Sequence, residues 1–84
     1  MKYTIQFITE SGDFSYPYGR DVKRVRGKKA VSSYAADWHE EVHSLSECCG
    51  ETWVFVGHYT DVTDMYPDYI VSIGPRGGAR WSRC

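Results

Sequence analysis

The middle of this chain lacks basic residues. No Lys or Arg occurs between Val31 and Ser72, whereas eight acidic residues do, so this stretch has a charge of −8. The flanking segments hold all ten Lys and Arg residues and have net charges of +4 (residues 1–30) and +3 (residues 73–84). The overall charge of −1 therefore hides a polarised molecule. Because charge distribution decides which partners approach a protein and how fast, this partition is the main functional feature of the sequence.

The sequence also lacks a long apolar run, an internal repeat and a low-complexity segment. No stretch approaches the ~18 apolar residues of a membrane-spanning helix, and the N-terminus shows no apolar core of a signal peptide. The composition, 42% hydrophobic, 15% aromatic and 25% charged, is typical of a folded chain and not of a disordered one. We expect a single domain, residues 1–84, in the cytoplasm and not bound to a membrane.

Cysteine is scarce, and its count is odd. Cys48 and Cys49 are adjacent and cannot easily bridge each other, and Cys84 is the last residue. We expect three reduced thiols in a cytosolic protein. The alternative is a disulfide from Cys84 to Cys48 or Cys49 in an oxidising medium.

Hydrophobic periodicity predicts about five strands and one helix. Period-two alternation, as in Tyr3, Ile5 and Phe7, is typical of strands, and the apolar run around Trp53 is typical of a central strand. The predicted strands are Lys2–Thr9, Asp21–Arg26, Glu51–Tyr59, Asp68–Ile73 and Ala79–Arg83. The order β-β-α-β-β-β predicts an α+β fold, in which one amphipathic helix packs on one face of a small antiparallel sheet.

The helix is predicted over Lys28–Glu47. Apolar residues recur there at helical spacing and form one core-facing stripe. The stripe consists of Val31, Tyr34, Ala35, Trp38, Val42, Leu45 and Cys49. Gly27 is an acceptable N-cap, and Gly50 suits the left-handed C′ position at which many helices end.

The segment His39-Glu40-Glu41-Val42-His43 matches the H-E-x-x-H motif on this helix. In zinc metalloproteases the two histidines bind the metal and the first glutamate activates a metal-bound water, which here would be His39, His43 and Glu40. The three side chains are predicted on the flank of the apolar stripe, however. Cys48 and Cys49 would lie at other angles around the same helix, which leaves His58, Asp61 and Asp64 as the candidates for a third ligand. We keep a minimal zinc hydrolase as an alternative and expect neither a cofactor nor enzymatic activity.

Cations and aromatic residues concentrate at both ends of the chain. Six cations lie within Arg20–Lys29, just after the aromatic cluster that contains Tyr16 and Tyr18. Tyr, Trp and Arg anchor many protein interfaces, and cations beside aromatic rings also suit single-stranded nucleic acid. The predicted partner-binding residues are Tyr16, Tyr18, Arg24, Arg26, Arg76, Arg80 and Trp81. We expect the last three near the others if the final hairpin packs beside them.

Both basic segments also have simpler interpretations. The first is a solvated edge strand, whose Lys and Arg residues prevent pairing with other chains. Within the second, Gly74–Gly78 predicts a hairpin turn in which glycine supplies a positive φ, with an anion-binding nest as the alternative. The pI near 6.3 argues against nucleic acid, because nucleic-acid-binding domains usually have a pI above about 9.

Two segments resemble small uncharacterised accessory proteins of actinobacterial phages. They are the ending Tyr69-Ile-Val-Ser-Ile-Gly-Pro-Arg-Gly-Gly-Ala-Arg-Trp and the helix segment Lys28-Lys-Ala-Val-Ser-Ser-Tyr-Ala-Ala-Asp-Trp, about a third of the chain. Small phage accessory proteins often bind and block a host protein, as anti-CRISPR and other anti-defence inhibitors do. The resemblance implies a phage-encoded, non-enzymatic binding module that modulates a host protein in the host cytoplasm. The alternative function is binding of single-stranded nucleic acid.

Overall fold

The computed structural model describes residues 1–9, 22–44, 50–62 and 64–84, without the side chains of Thr9, His43 and Ser44. Within these residues the chain forms five strands and one helix in the order β-β-α-β-β-β, which confirms the predicted α+β fold. The elements are β1 (Lys2–Thr9), β2 (Val22–Arg26), α1 (Lys28–Ser44), β3 (Gly50–Val56), β4 (Tyr69–Ile73) and β5 (Ala79–Arg83). No helix of the described ranges is long and apolar enough to cross a membrane.

The strands form one antiparallel sheet in the spatial order β2-β1-β3-β4-β5. β3 is the central strand, as its apolar sequence predicts, and β2 and β5 are the two edges among the described strands. β2 and β3 both pair with β1 in antiparallel fashion, so they run parallel to each other. Such a pair of strands needs a crossover connection, which α1 provides by packing over one face of the sheet.

The main core lies between α1 and this face. The helix contributes its buried stripe, and the sheet contributes Ile5, Val54 and Val71, all at most 1% exposed. Trp38 connects the two layers, because its indole N–H donates a 3.0 Å hydrogen bond to Ile8 O and its ring packs on Phe7. The predicted stripe is confirmed at Val31, Ala35, Trp38 and Val42, which are buried, and at Tyr34, which is half-buried. Leu45 and Cys49 lie outside the described residues.

Gly27 forms the whole connection between β2 and α1. Its φ of +84° turns the chain, and its carbonyl accepts the Val31 N–H at 3.3 Å at the start of the helix. The predicted N-cap is therefore confirmed. A residue with a Cβ would adopt this left-handed backbone only with strain.

The prediction that Gly50 is the C′ residue at the end of the helix is wrong. Gly50 is the first residue of β3 and is buried beneath α1. A Cβ at this position would lie 2.7 Å from Val42 Cγ2 and 2.9 Å from Trp38 Nε1. Glycine is needed here because the helix approaches the strand closely.

The face of the sheet away from α1 carries a second buried layer. Thr4 and Phe55 face this side and are fully buried, and Ile8 is 6% exposed. Val62, in the segment after β3, is also buried. The bend after β3 folds against this face, because Thr4 Oγ1 donates to Gly57 O at 2.8 Å and accepts the Tyr59 N–H at 2.9 Å.

This bend explains why β3 ends at Val56 and not at Tyr59 as predicted. Gly57 has a φ of +118°, which turns the chain out of the strand. Asp68 was predicted as the first residue of β4 but lies just before that strand, where it forms hydrogen bonds with the end of β3. Its carboxylate accepts the Val56 N–H at 2.7 Å, and its own N–H donates to Val54 O at 2.8 Å.

The β4–β5 connection is the predicted hairpin turn. The Gly77 N–H donates to Gly74 O at 2.9 Å, and the Gly74 N–H donates to Gly78 O at 2.8 Å. Gly77 has a φ of +84°, and Pro75 occupies the second position of the turn, where proline is favoured. Two of the N–H groups that could have formed an anion nest are thus used within the turn.

Candidate functional site

Six exposed cations surround the edge strand β2 and the start of α1. Arg24 and Arg26 lie two residues apart on β2, and Lys2 lies opposite Arg26 on β1. We call this group the basic edge; it consists of Lys2, Lys23, Arg24, Arg26, Lys28 and Lys29. Strand pairing places Lys2 beside the basic run of β2, and Gly27 joins that run directly to Lys28 and Lys29 on α1. Lys28 extends from this group over the sheet toward Trp81.

The backbone of β2 presents hydrogen-bonding groups to this edge. The Gly27 N–H donates to Met1 O at 2.9 Å, which makes Met1 and Gly27 a hydrogen-bonded pair. In an antiparallel ladder such pairs alternate, so the N–H and C=O of Lys23 and Val25 point toward β1. Those of Arg24 and Arg26 point away from the sheet. Within the described ranges no strand pairs with this side of β2.

The side chains of Arg24 and Arg26 lie on the face opposite α1, because the alternating residue Val25 belongs to the helix-side core. The Arg24 guanidinium donates to Tyr59 O at 3.4 Å, and His58 Nε2 lies 3.1 Å from Val25 O. The bend after β3 therefore lies against β2 and places the 36% exposed Tyr59 beside Arg24. Tyr59 was not among the predicted site residues, because it was expected to be the last residue of β3.

Lys23 lies on the helix side of β2. Its ammonium sits 5.3 Å from the centroid of the Tyr34 ring, close enough for a cation–π interaction. Two grooves meet at this pair of residues. A helix groove of about 270 Å³ is lined by Phe7, Lys23, Tyr34, Asp37, Trp38 and Glu41. An edge groove of about 290 Å³ is lined by Val22, Lys23, Arg24, Val25 and Tyr34, and thus follows the outer side of β2.

The predicted site residues near the C-terminus lie at the other edge of the sheet. β5 carries Arg80 and Trp81, and three strands separate it from β2. Arg76 lies in the exposed hairpin turn, and Arg80 shares the face of Arg24 and Arg26 at this opposite edge. The final hairpin does not pack beside β2, so the structure does not bring the two predicted groups together.

Trp81 is held by the fold on the helix side of the sheet. It is half-buried, its indole N–H donates to Ser32 Oγ at 3.3 Å, and its ring meets the Tyr3 and Tyr69 rings edge-on. The Lys28 ammonium lies 5.2 Å from its ring centroid. These contacts are sufficient to explain a tryptophan on an edge strand.

Three other tyrosines bear on the predicted site. Tyr16 and Tyr18 fall outside the described residues, so their predicted role stays a prediction. Tyr66, which the sequence analysis did not select, is 92% exposed in the segment between β3 and β4. A fully solvated tyrosine next to Pro67 is a further candidate contact residue.

The H-E-x-x-H motif lies on α1 with His39 half-buried and Glu40 exposed. The side chain of His43 lies outside the described part of the chain, as do Cys48 and Cys49. Among the described side chains, no three His, Cys, Asp or Glu residues are close enough together to hold a metal ion. Cys84 is a free, exposed thiol.

The acidic block of the sequence is divided by the fold. Asp37, Glu40 and Glu41 are exposed on α1, whereas Asp61, Asp64 and Asp68 follow β3. Basic residues occupy both edges, and the acids lie on the helix and in the β3–β4 segment between them. The charge partition of the sequence therefore becomes several separate surfaces, of which the basic edge is the densest in cations.

The basic edge combines arginine, lysine and exposed tyrosine with a side of β2 that no described strand pairs. This arrangement can hold a macromolecular partner, because it offers charge, ring surfaces and directional hydrogen bonds together. Comparisons of the chain with protein-family models, with curated proteins and with solved structures find no match.

Proposed function

We propose that this protein is a small, non-enzymatic binding module that docks another protein at the edge of its sheet. The docking surface consists of Lys23, Arg24, Arg26, Tyr34 and Tyr59, which we call the β2 surface. The observation that supports this proposal is the convergence at one edge of exposed cations, two tyrosines and two grooves. Tyr and Arg are the residue types most enriched among the energetically dominant contacts of protein interfaces.

A protein partner fits the charge layout better than single-stranded nucleic acid does. A nucleic-acid strand needs a continuous basic track along which the phosphates can run. Here β1, β3 and β4 separate the cations of β2 from those of β5, and the acidic β3–β4 segment follows the central strand. A localised basic surface instead suits an acidic patch on a folded or extended protein partner.

The resemblance to phage accessory proteins supports a host protein as that partner. A domain of 84 residues can inhibit a larger protein simply by covering the surface on which it acts. An interface of standard size takes about 800 Å² from each partner. The whole described surface of this protein is 5635 Å², so one edge and its flanks could supply such an area. The proposed action is thus blocking or modulation of a host protein in an anti-defence role.

The test is capture of partners from host lysate with two charge-reversal variants that change equal numbers of residues. The double variant Arg24→Glu/Arg26→Glu alters the β2 edge, and Arg76→Glu/Arg80→Glu alters the β5 edge by the same charge. All four arginines are exposed, so both variants should fold like the wild type, which circular dichroism checks. We expect the first variant to lose the captured protein and the second to retain it.

Three results would contradict the proposal. Equal recovery with both variants would exclude the β2 surface, and loss with only the second would move the site to β5. Recovery that disappears after nuclease treatment would favour the nucleic-acid alternative, whose affinity should also fall steeply with salt.

A further inference from the structure

We propose that the β2 surface binds an extended acidic segment of its partner, which adds to β2 as a further antiparallel strand. This inference rests on the proposed function and specifies how that surface recognises its partner. The segment alternates acidic residues, which face Arg24 and Arg26, with apolar residues, which face the edge groove.

The backbone of β2 is arranged for such an addition. The N–H and C=O groups of Arg24 and Arg26 point away from β1 at intervals of two residues, as follows from the Met1–Gly27 hydrogen bond and the register of the pair. An added antiparallel strand would form hydrogen-bonded pairs with these two residues. Main-chain hydrogen bonds provide affinity in strand addition, and side-chain pockets on alternating positions provide specificity.

The charges at this edge select an acidic strand. Residues directly opposite each other in an antiparallel pair have their side chains on the same face, about 5 Å apart. Partner residues paired with Arg24 and Arg26 would therefore lie on the face away from α1, within reach of both guanidinium groups. A carboxylate at these positions can accept two parallel hydrogen bonds from an arginine.

The same charges discourage pairing of β2 with a second copy of itself. In a symmetric antiparallel pair centred on Arg24, the two Arg24 side chains would lie directly opposite each other. Like charges at such positions are destabilising, and exposed edge strands commonly use Lys and Arg in this way. The edge thus opposes self-association while it attracts an acidic strand.

The other face of the added strand would meet the edge groove. Its residues opposite Lys23 and Val25 would point toward the helix side of the sheet, where Tyr34 and the aliphatic part of Lys23 line about 290 Å³ of open space. This groove is lined mostly by polar surface, and the Lys23 ammonium lies over the Tyr34 ring. It therefore suits a small side chain such as valine, which can contact the aliphatic part of Lys23 and leave the ammonium in place. At the β5 edge the corresponding side is occupied by Trp81, which already packs against Tyr69.

A synthetic peptide tests this mode of binding. The probe is a fluorescein-labelled peptide of about seven residues that alternates glutamate and valine, capped at both ends. In antiparallel addition the glutamate amides point toward β2 and the valine amides point away from it. Two further peptides with the same sequence and charge carry N-methyl groups, one on its glutamate amides and the other on its valine amides. Binding is measured by fluorescence anisotropy at 0.15 M salt.

We expect saturable binding of the unmodified peptide and of the peptide methylated at valine. Methylation at glutamate should weaken binding at least thirtyfold, roughly the loss of two backbone hydrogen bonds. The Arg24→Glu/Arg26→Glu variant should bind the unmodified peptide at least about tenfold more weakly, whereas Arg76→Glu/Arg80→Glu should bind it as the wild type does.

Several outcomes would overturn the inference. Equal binding of all three peptides would show charge attraction without strand pairing. If the peptide methylated at glutamate bound more tightly than the peptide methylated at valine, the antiparallel arrangement would be excluded. Failure of the unmodified peptide to bind at about 1 mM would exclude strand addition altogether. If any of these occurs while the captured protein still depends on Arg24 and Arg26, the proposed function stands and only the binding mode is wrong.

Discussion

Substitution of Gly50 by alanine should destabilise the fold, because α1 leaves no room for a methyl group at the start of β3. The new Cβ would lie 2.7 Å from Val42 Cγ2 and 2.9 Å from Trp38 Nε1, whereas non-bonded carbon atoms prefer about 3.5–4.0 Å. Val42 is 1% exposed, and Trp38 is held by its hydrogen bond to Ile8 O, so neither side chain can move aside without loss.

The expected magnitude follows from these contacts. Overpacking a buried site typically costs about 1–3 kcal/mol, and weakening the Trp38 hydrogen bond adds up to ~1 kcal/mol. The lower entropy of the unfolded alanine chain offsets about 0.4–1 kcal/mol of this. The free energy of unfolding of Gly50→Ala should therefore fall by about 1–3 kcal/mol, and the Tm by roughly 5–20 °C.

Urea denaturation followed by tryptophan fluorescence measures this change, and two other glycines provide controls. A Cβ at Gly78 or Gly27 would meet nothing within 4 Å, but only Gly27 has a positive φ, +84°. Gly78→Ala should change the free energy of unfolding by less than about 0.5 kcal/mol, whereas Gly27→Ala should lower it by about 1–2 kcal/mol through backbone strain. Equal stability of Gly50→Ala and Gly78→Ala would refute the close approach of helix and strand.

Substitutions at three further positions test how the fold supports the β2 surface. Thr4→Val removes the hydroxyl that holds the bend after β3, so we expect a loss of about 1–3 kcal/mol in the free energy of unfolding and weaker partner binding through displacement of Tyr59. Asp68→Ala should cost about 1 kcal/mol in the same denaturation assay by leaving the Val56 N–H without its carboxylate, and Asp68→Asn should cost less because an amide oxygen can still accept. Trp81→Phe should lower the Tm by a few degrees through loss of its N–H hydrogen bond and leave partner affinity unchanged; a loss of affinity would place β5 in the interface.

Local sequence patterns were sufficient to predict the elements of this fold. Alternation of apolar residues predicted β1, and the tight Gly74–Gly78 turn predicted β5 as the returning strand, both with the bounds that the structure has. The helical stripe predicted the buried side of α1. Glycine was interpreted correctly at Gly27, where the requirement is a local turn. It was misinterpreted at Gly50, because the requirement there comes from Val42 and Trp38 on another element.

Which residues share the candidate site depends on the strand order and on contacts between distant parts of the chain, and local sequence patterns do not contain this information. Arg24 and Arg26 were predicted from a basic run, but the sequence contains no local signal for the strand order that separates them from Arg80. Tyr59 was missed because its position depends on Thr4, which is 55 residues earlier in the chain. Charge and residue type thus identified part of the surface, and long-range pairing decided which residues share it.

Amide hydrogen exchange at β2, measured with and without the captured partner, tests the central claim most directly. In the free protein the Arg24 and Arg26 amides should exchange fast and those of Lys23 and Val25 slowly, because only the latter two donate to β1. On β5 the Trp81 amide likewise points away from the sheet, because the Gly74–Gly78 hydrogen bond and the strand register direct the amides of Arg80 and Ser82 toward β4. We expect the partner to slow exchange at Arg24 and Arg26 and to leave exchange at Trp81 unchanged. Unchanged exchange at Arg24 and Arg26 in a saturated complex would contradict binding at the β2 edge.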